Sequence, residues 1–148
     1  MKMEILYNMV WYRGLDAKSR DFLLDTHVVL WAIRGSNKNS QKVQNILKDA
    51  AVRKFVSPVI AYEISYKYNS GKLNEFSDIA QDYFGVISQF RAFEIPISSE
   101  HMYLAGSIDW AHRDPFNRIL AAQAHVEGMV LITRDSKFNE LDWLKTLW

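Results

Sequence analysis

Short apolar runs alternate along the chain with stretches in which apolar residues recur every three or four positions. An apolar run bounded by polar residues indicates a buried strand, and the wider spacing indicates a helix that buries one face. Because helices separate the strands, we expect an α/β fold whose parallel sheet is covered on both faces and joined by right-handed crossovers. The predicted strands cover residues 21–25, 55–56, 93–97 and 129–133, with a short edge strand within 141–148.

Capping residues predict where the helices begin and end. Ser57-Pro58 and Asp114-Pro115 each place a proline at the first helical position after an N-cap, and Thr26 is a third predicted N-cap. Gly71 and Gly128 are expected to end the helices that precede them. The predicted helices cover residues 26–33, 43–50, 58–70, 77–90, 99–111 (capped by Ser98 or Ser99) and 115–127.

Composition narrows the chemistry that this fold can carry. The 148 residues are enough for one domain with a real core. Lys and Arg number 18 and Asp and Glu 17, so any nucleic-acid binding needs a local cluster of cations. There is no cysteine, and the histidines do not have the spacing of zinc ligands, so a metal would be held mainly by oxygen.

The first 20 residues carry no clear signal peptide, and Met1, Met3 and Met9 are all possible starts. No segment reaches the roughly 18 uninterrupted apolar residues that a membrane span requires. We therefore expect a cytoplasmic protein with no membrane partner. The apolar residues of the tail, such as Trp143 and Leu144, are expected to close the core rather than form an oligomer interface.

Acidic and amide side chains follow the predicted strands or begin the helices beside them. Asp25 ends the first strand, Asp135 follows the strand 129–133, Asp114 and Asn117 begin a helix, and Glu63 lies in the second turn of another. In an open α/β sheet, ligands bind outside the carboxyl ends of the strands. Carboxylates collected there would hold Mg²⁺, which polarises a phosphoryl group and activates water for phosphodiester hydrolysis.

Each of these residues also has a purely structural interpretation. Asp25 and Asp114 are both good N-caps, Asp135 suits a turn in which it accepts from its own backbone, and Glu63 can simply be solvated. Tyr62 and Tyr66 can stack on bases, but core packing is the favoured interpretation. Cations that flank the acids can bind RNA phosphates or remain solvated, namely Arg113, Arg118, Arg134, Lys67 and Lys72.

Taken in order, four segments resemble the motifs of a PIN domain, and more narrowly those of VapC toxins from type II toxin–antitoxin modules. The resemblance covers residues 22–148 and leaves 1–21 as an N-terminal extension. It implies a three-layer α/β/α sandwich, an endoribonuclease that uses Mg²⁺ or Mn²⁺ and acts on cellular RNA, a homodimer, and a VapB-type antitoxin. The segments are Leu23-Leu24-Asp25-Thr26, Ser57-Pro58 with Glu63-Ile64, His112-Arg113-Asp114-Pro115-Phe116-Asn117-Arg118, and Thr133-Arg134-Asp135.

The resemblance also assigns roles to single positions. Asp25 matches the first metal-binding aspartate of the family, Glu63 its glutamate, and Asp135 its last acid. The family has an aspartate where this chain has Asn117, so the implied metal ligands are Asp25, Asn117 and Asp135. The missing charge weakens attraction for a cation by about 1 to 4 kcal/mol. Asp114 faces the same side of the helix start and could partly compensate.

Three functional hypotheses follow. The leading one is a Mg²⁺-dependent endoribonuclease toxin with Asp25, Glu63, Asp114, Asn117 and Asp135 at its site. The second is a PIN-like module that binds RNA or antitoxin and is catalytically weakened because of Asn117. The third, a phosphorylated Asp25, is weaker because His27 stands where a phosphatase of that kind has a second aspartate.

Overall fold

The computed structural model describes residues 21–148, and the predictions made for residues 1–20 lie outside that range. All the strand pairs are parallel, and the strand order is β3-β2-β1-β4-β5. The parallel α/β architecture predicted from the sequence is confirmed. The strands are β1 (Asp21–Leu24), β2 (Arg53–Val56), β3 (Phe93–Glu94), β4 (Val130–Ile132) and β5 (Thr146–Leu147).

α-Helices fill the connections between the strands up to β4, and a 3₁₀ turn lies between β4 and β5. Short 3₁₀ turns lie at Asn74–Phe76 and Ser136–Glu140. None of the helices in the described part of the chain is long and apolar enough to cross a membrane. The helices are α1 (Thr26–Ile33), α2 (Gln41–Lys48), α3 (Val59–Asn69), α4 (Ser77–Gln81), α5 (Tyr83–Gln89), α6 (Ser99–Ser107) and α7 (Pro115–Val126).

Strands β1, β2 and β4 are buried on both faces, so the fold has three layers. In β4, Leu131 packs into a cluster with residues of α7, whereas the next residue, Ile132, packs into a second cluster with residues of α1 and α3. Leu23 and Leu24 of β1 divide between the two clusters in the same way. Successive strand side chains point to opposite faces, which explains why these strands read as continuous apolar runs.

Several boundaries differ from those predicted, each for a local reason. The N-cap of α1 is Asp25 rather than Thr26, because the Asp25 carboxylate accepts from the Thr26 amide. The helix predicted over 77–90 is broken at Asp82, whose backbone is not helical. The break leaves Ile79 and Val86 packed on the same apolar cluster. The segment predicted as strand 93–97 pairs as β3 only at Phe93–Glu94.

Three helix ends also differ. Helix α6 stops at Ser107 instead of reaching position 111, because Arg118 binds the carbonyls of Ala105 and Ile108 that a longer helix would use. Helix α2 ends at Lys48, before Ala50. Helix α3 begins one residue after Pro58, at Val59. Gly71 and Gly128 adopt positive φ angles of 72° and 66° after α3 and α7, as expected for helix stops.

The tail closes the core largely as predicted. Leu144 is buried in the cluster that contains Leu131, and Leu147 and Trp148 pack against the cluster on the other face. Trp143 is the exception and is exposed.

Candidate active site

A cleft of about 460 Å³ opens where β1 and β4 end. Its volume falls in the range of ordinary ligand pockets. Because neighbouring parallel strands end at the same edge, residues far apart in sequence meet there. The structure brings all five predicted site residues to this cleft, namely Asp25, Glu63, Asp114, Asn117 and Asp135.

Asp25 both caps helix α1 and lines the cleft. Its side chain is only 9% exposed. Oδ1 accepts from the Thr26 amide at 2.7 Å, and Oδ2 accepts from the Thr133 hydroxyl at 2.7 Å. Burial raises the pKa of the Asp25 carboxyl, and the negative charge of Glu63 adds to the rise, whereas the two hydrogen bonds act in the opposite direction. The structural and functional interpretations of Asp25 are therefore compatible.

Glu63 is buried as well, at 6% exposure, so its interpretation as a solvated residue is wrong. Its Oε2 accepts from the Thr26 hydroxyl at 3.0 Å, and its Oε1 accepts from the Lys67 ammonium at 3.1 Å. Lys67 is one turn further along α3, so the helix itself supplies the partner. Thr26 thus bonds to both buried acids, one through its amide and one through its hydroxyl.

Asn117 connects the cleft to the loop behind it. Its side-chain NH₂ donates to Asp135 Oδ2 at 3.1 Å and to His112 Nε2 at 2.8 Å. Asp135 Oδ1 accepts from the Lys137 amide at 3.0 Å, which is the turn-forming role that the sequence allowed. The N–H of Asn117 therefore stabilises the carboxylate of Asp135, as an ionised aspartate at this position could not.

Asp114 caps α7, because its Oδ1 accepts from the Phe116 amide at 2.9 Å. The N-terminus of α7 lies at the cleft, where its unpaired amides and its dipole favour negative charge. The N-cap interpretation of Asp114 is confirmed. Its carboxylate is held by the backbone, which limits its use as a substitute for the acid missing at Asn117.

The predicted RNA-contacting cations divide into three groups. Arg134 and Lys67 line the cleft, and Lys72 lines an adjoining cavity that shares Glu63 and Lys67 with it. Arg113 is exposed beside the α7 cap. Arg118 is different, because its guanidinium donates to four backbone carbonyls. An RNA-contacting role for Arg118 is therefore wrong.

Sequence reasoning missed the threonines and the histidine that hold the acids in place. Thr26 and Thr133 donate hydroxyls to Glu63 and Asp25, and His112 accepts from Asn117. The available signal was the position of the two threonines, because Thr26 directly follows Asp25 and Thr133 lies two residues before Asp135. Nothing local to His112 indicated its contact.

Tyr62 and Tyr66 do not pack in the core as favoured above. They are 64% and 53% exposed, and their rings are stacked with centroids 6.2 Å apart. Both rings also contact Phe116, at 5.5 and 6.5 Å between centroids. We call these three residues the aromatic surface. It adjoins the cleft, because Tyr62 precedes Glu63 on α3 and Phe116 precedes Asn117 on α7.

The oxygen-rich lining of the cleft fits a hard divalent cation. Within residues 21–148, no group of three or more histidine, cysteine, aspartate or glutamate side chains could hold a metal ion. Mg²⁺ needs only one or two carboxylates, together with water and phosphate oxygens. The buried Asp25 and Glu63 repel each other, and Asn117 adds an amide oxygen that has no hydrogen-bond partner in the described part of the chain.

Comparison with known proteins agrees with this geometry. Residues 22–144 match the family model of the PIN domain. No curated protein sequence matched the chain. Solved structures with the same fold include VapBC2 from Rickettsia felis bound to a DNA fragment from its promoter (20% identity, TM-score 0.60) and DNA-bound VapBC from Salmonella typhimurium (16%, 0.64).

A third similar structure is VapBC-1 from nontypeable Haemophilus influenzae, at 15% identity and a TM-score of 0.61. Each of the three alignments covers 86% of this chain, and they cover 97%, 97% and 96% of the respective matched chains. At such identities the likeness shows the fold alone. The family-model match spans most of the sequence, and the chain belongs to the PIN domain family.

Proposed function

We propose that this protein is a metal-dependent endoribonuclease of the VapC toxin type. The single observation that carries the proposal is the cleft in which the buried pair Asp25 and Glu63 faces Asp135 and Asn117. Glu63 is paired with Lys67, whereas the carboxylate of Asp25 is bound only by an amide and a hydroxyl, so the buried charge of Asp25 next to Glu63 is costly. A divalent ion would remove that cost, and family membership supports this interpretation.

Asp25, Asn117 and Asp135 would hold Mg²⁺ or Mn²⁺, with Glu63 beside them. When bound, the ion supplies a Lewis acid for the phosphoryl group and lowers the pKa of a water nucleophile. Lys67 and Arg134 at the cleft, together with the N-terminus of α7, attract the phosphates of the substrate. Asp114 keeps that helix end in place through its cap.

RNA is the proposed substrate, and a VapB-type antitoxin is the proposed inhibitor. The antitoxin is proposed because the similar structures are those of VapBC proteins. A homodimer through the aromatic surface is proposed because a cluster of exposed aromatic rings is typical of protein contacts. We also propose that residues 22–148 form the PIN domain of a cytoplasmic protein, preceded by an extension over 1–21.

One observation favours a second candidate, a PIN module that binds RNA or antitoxin but is catalytically weakened. The NH₂ group of Asn117 donates to Asp135 and so already stabilises a carboxylate that a metal would otherwise stabilise. With an aspartate at position 117 this hydrogen bond could not form, and the cleft would carry one more negative charge. The same cleft and the same helix N-terminus would still bind phosphate.

Cleavage of RNA by the purified protein over a series of Mg²⁺ and Mn²⁺ concentrations distinguishes the candidates. We expect slow cleavage that is lost in Asp25→Ala and that increases about tenfold or more in Asn117→Asp, because one added charge contributes roughly 1 to 4 kcal/mol of attraction. The matched control is Asn45→Asp, the same change at an exposed position of α2 outside the cleft.

Two outcomes would contradict the proposal. If the parent never cleaves RNA while Asn117→Asp does, the weakened module is the correct description. If Asp25→Ala cleaves as fast as the parent, the cleft is not the active site.

A further inference from the structure

Arg118 ties the loop between α6 and α7 to the first turns of α7. Its Nε donates to Ala105 O at 2.8 Å, and its Nη2 donates to Ile108 O at 2.6 Å. Its Nη1 donates to the carbonyls of Trp110 and His112, both at 3.0 Å. A guanidinium with most of its donors used in this way fixes the path of the backbone through to His112.

The His112 ring is fixed on two sides. It packs edge-on against the Trp110 ring, with centroids 4.9 Å apart. Its Nε2 accepts one hydrogen of the Asn117 NH₂ group at 2.8 Å. The other hydrogen of that group goes to Asp135 Oδ2. His112 itself is not part of the cleft lining, whereas Asn117 and Asp135 are.

These two bonds determine which end of the Asn117 amide is available to a ligand. A side-chain amide is planar, and its two N–H bonds have fixed directions. With both hydrogens taken by His112 and Asp135, Oδ1 is the free atom of the side chain, and it makes no hydrogen bond within residues 21–148. Without His112, only the hydrogen bond to Asp135 would hold the amide, so the direction of Oδ1 would no longer be fixed.

We propose that His112, held by Arg118, is a positioning residue that orients the Asn117 amide so that its oxygen is the group offered to a cation in the cleft. This role rests on the proposed function only in taking the ligand of the cleft to be a divalent cation. The orientation of the amide is a separate property that can be measured without metal or RNA.

The test measures the side-chain amide signals of Asn117 by ¹⁵N NMR, with Asn117→Asp used to assign them. His112→Leu removes the acceptor, so one amide proton should shift upfield and exchange faster with water. His112→Gln places a side-chain oxygen in reach of the same proton and should restore the parental signal. Arg118→Lys loses most of the carbonyl contacts and should shift the signal although His112 is present.

Mn²⁺ binding is measured on the same variants by calorimetry, with melting temperatures as the control for folding. We expect His112→Leu to weaken Mn²⁺ binding about tenfold, the size usual for groups that orient a metal ligand, and His112→Gln to recover it. An unchanged Asn117 signal in His112→Leu, with Mn²⁺ still bound, would overturn the positioning role alone. If neither the parent nor Asn117→Asp binds Mn²⁺, the proposed function fails.

Discussion

At the scale of single residues, the carboxylate of Asp25 combines two requirements that usually conflict. It caps α1 through the Thr26 amide, a bond that stabilises helices by about 1 kcal/mol. The same carboxylate is buried next to the carboxylate of Glu63, which raises the pKa of Asp25. A charge on Asp25 is therefore unfavourable in the folded protein, as expected for a residue kept for binding rather than for stability.

We predict that Asp25→Asn raises the melting temperature by several degrees at neutral pH in EDTA. Asparagine still caps the helix and carries no buried charge. Because the folded-state pKa of Asp25 lies above its ordinary value of 3.8, the contribution of this carboxyl to stability is full below that value. The contribution is lost as the pH rises through the folded-state pKa.

The gain in melting temperature from Asp25→Asn should therefore shrink as the pH is lowered from about 7 to about 4. Thermal melts of the parent and of Asp25→Asn at each pH measure this gain. The matched control is Asp142→Asn, the same change at an exposed aspartate. A lower melting temperature for Asp25→Asn than for the parent at neutral pH would show that the buried charge is well compensated.

At the scale of elements, His101 joins the start of α6 to the end of α7. Its ring is 2% exposed. Nδ1 accepts from the Ser98 amide at 3.0 Å, Ser98 Oγ accepts from the His101 amide, and Nε2 lies 2.8 Å from Glu127 Oε1. The sequence allowed Ser98 as the cap. It did not indicate His101, because the reciprocal position of a capping box is usually glutamate or glutamine.

We predict that His101→Ala lowers the free energy of unfolding by about 2 to 3 kcal/mol, through loss of the cap and of the partner of Glu127. His101→Gln retains the bond to the Ser98 amide and should recover about half of that loss, because a glutamine is a normal capping-box residue. Urea denaturation measures both variants. Equal losses would mean that the cap contributes nothing and that packing of the ring is what matters.

At the scale of the whole molecule, the sheet separates two apolar clusters and brings the ends of β1 and β4 together at the cleft. Helices α3 and α7 flank the cleft and carry the aromatic surface beside it. Along α3, Glu63 and Lys67 face the cleft, and Tyr62 and Tyr66 form the next row of the helix. A partner bound to the aromatic surface would therefore lie next to the cleft.

We predict that the parent protein has a mass in solution of twice the 17.3 kDa of the chain. The double substitution of Tyr62 and Tyr66 by serine should give a monomer, because it removes most of the exposed apolar area of the aromatic surface. Size-exclusion chromatography with light scattering measures this. Phe84→Ser, at an 81% exposed ring on α5, is the matched control and should remain dimeric.

A monomeric parent at every concentration would contradict the homodimer. A dimer that persists in the double variant would place the interface elsewhere on the molecule.

The sequence by itself determined the alternating α/β order, the N-cap at Asp114 and the acids that line the cleft, and it narrowed the N-cap of α6 to Ser98 or Ser99. These features follow from periodicity, from capping and from the ends of strands, all of which depend on residues close together in the chain. The break at Asp82 and the short β3 did not follow, because they depend on contacts with distant residues, namely the apolar cluster that holds Ile79 and Val86 and the pairing of β3 with β2.

Only the tertiary structure decided how the acids are held. The bond from Thr133 to Asp25 spans 108 positions and the bond from Thr26 to Glu63 spans 37, so the sequence does not show which acid each hydroxyl binds. Arg118 has the sequence context of a phosphate-binding cation, yet it binds the backbone of its own loop. The acids were predictable because they lie at strand ends and near helix starts. Their partners were not, because which side chains meet at the cleft depends on how the strands and helices pack.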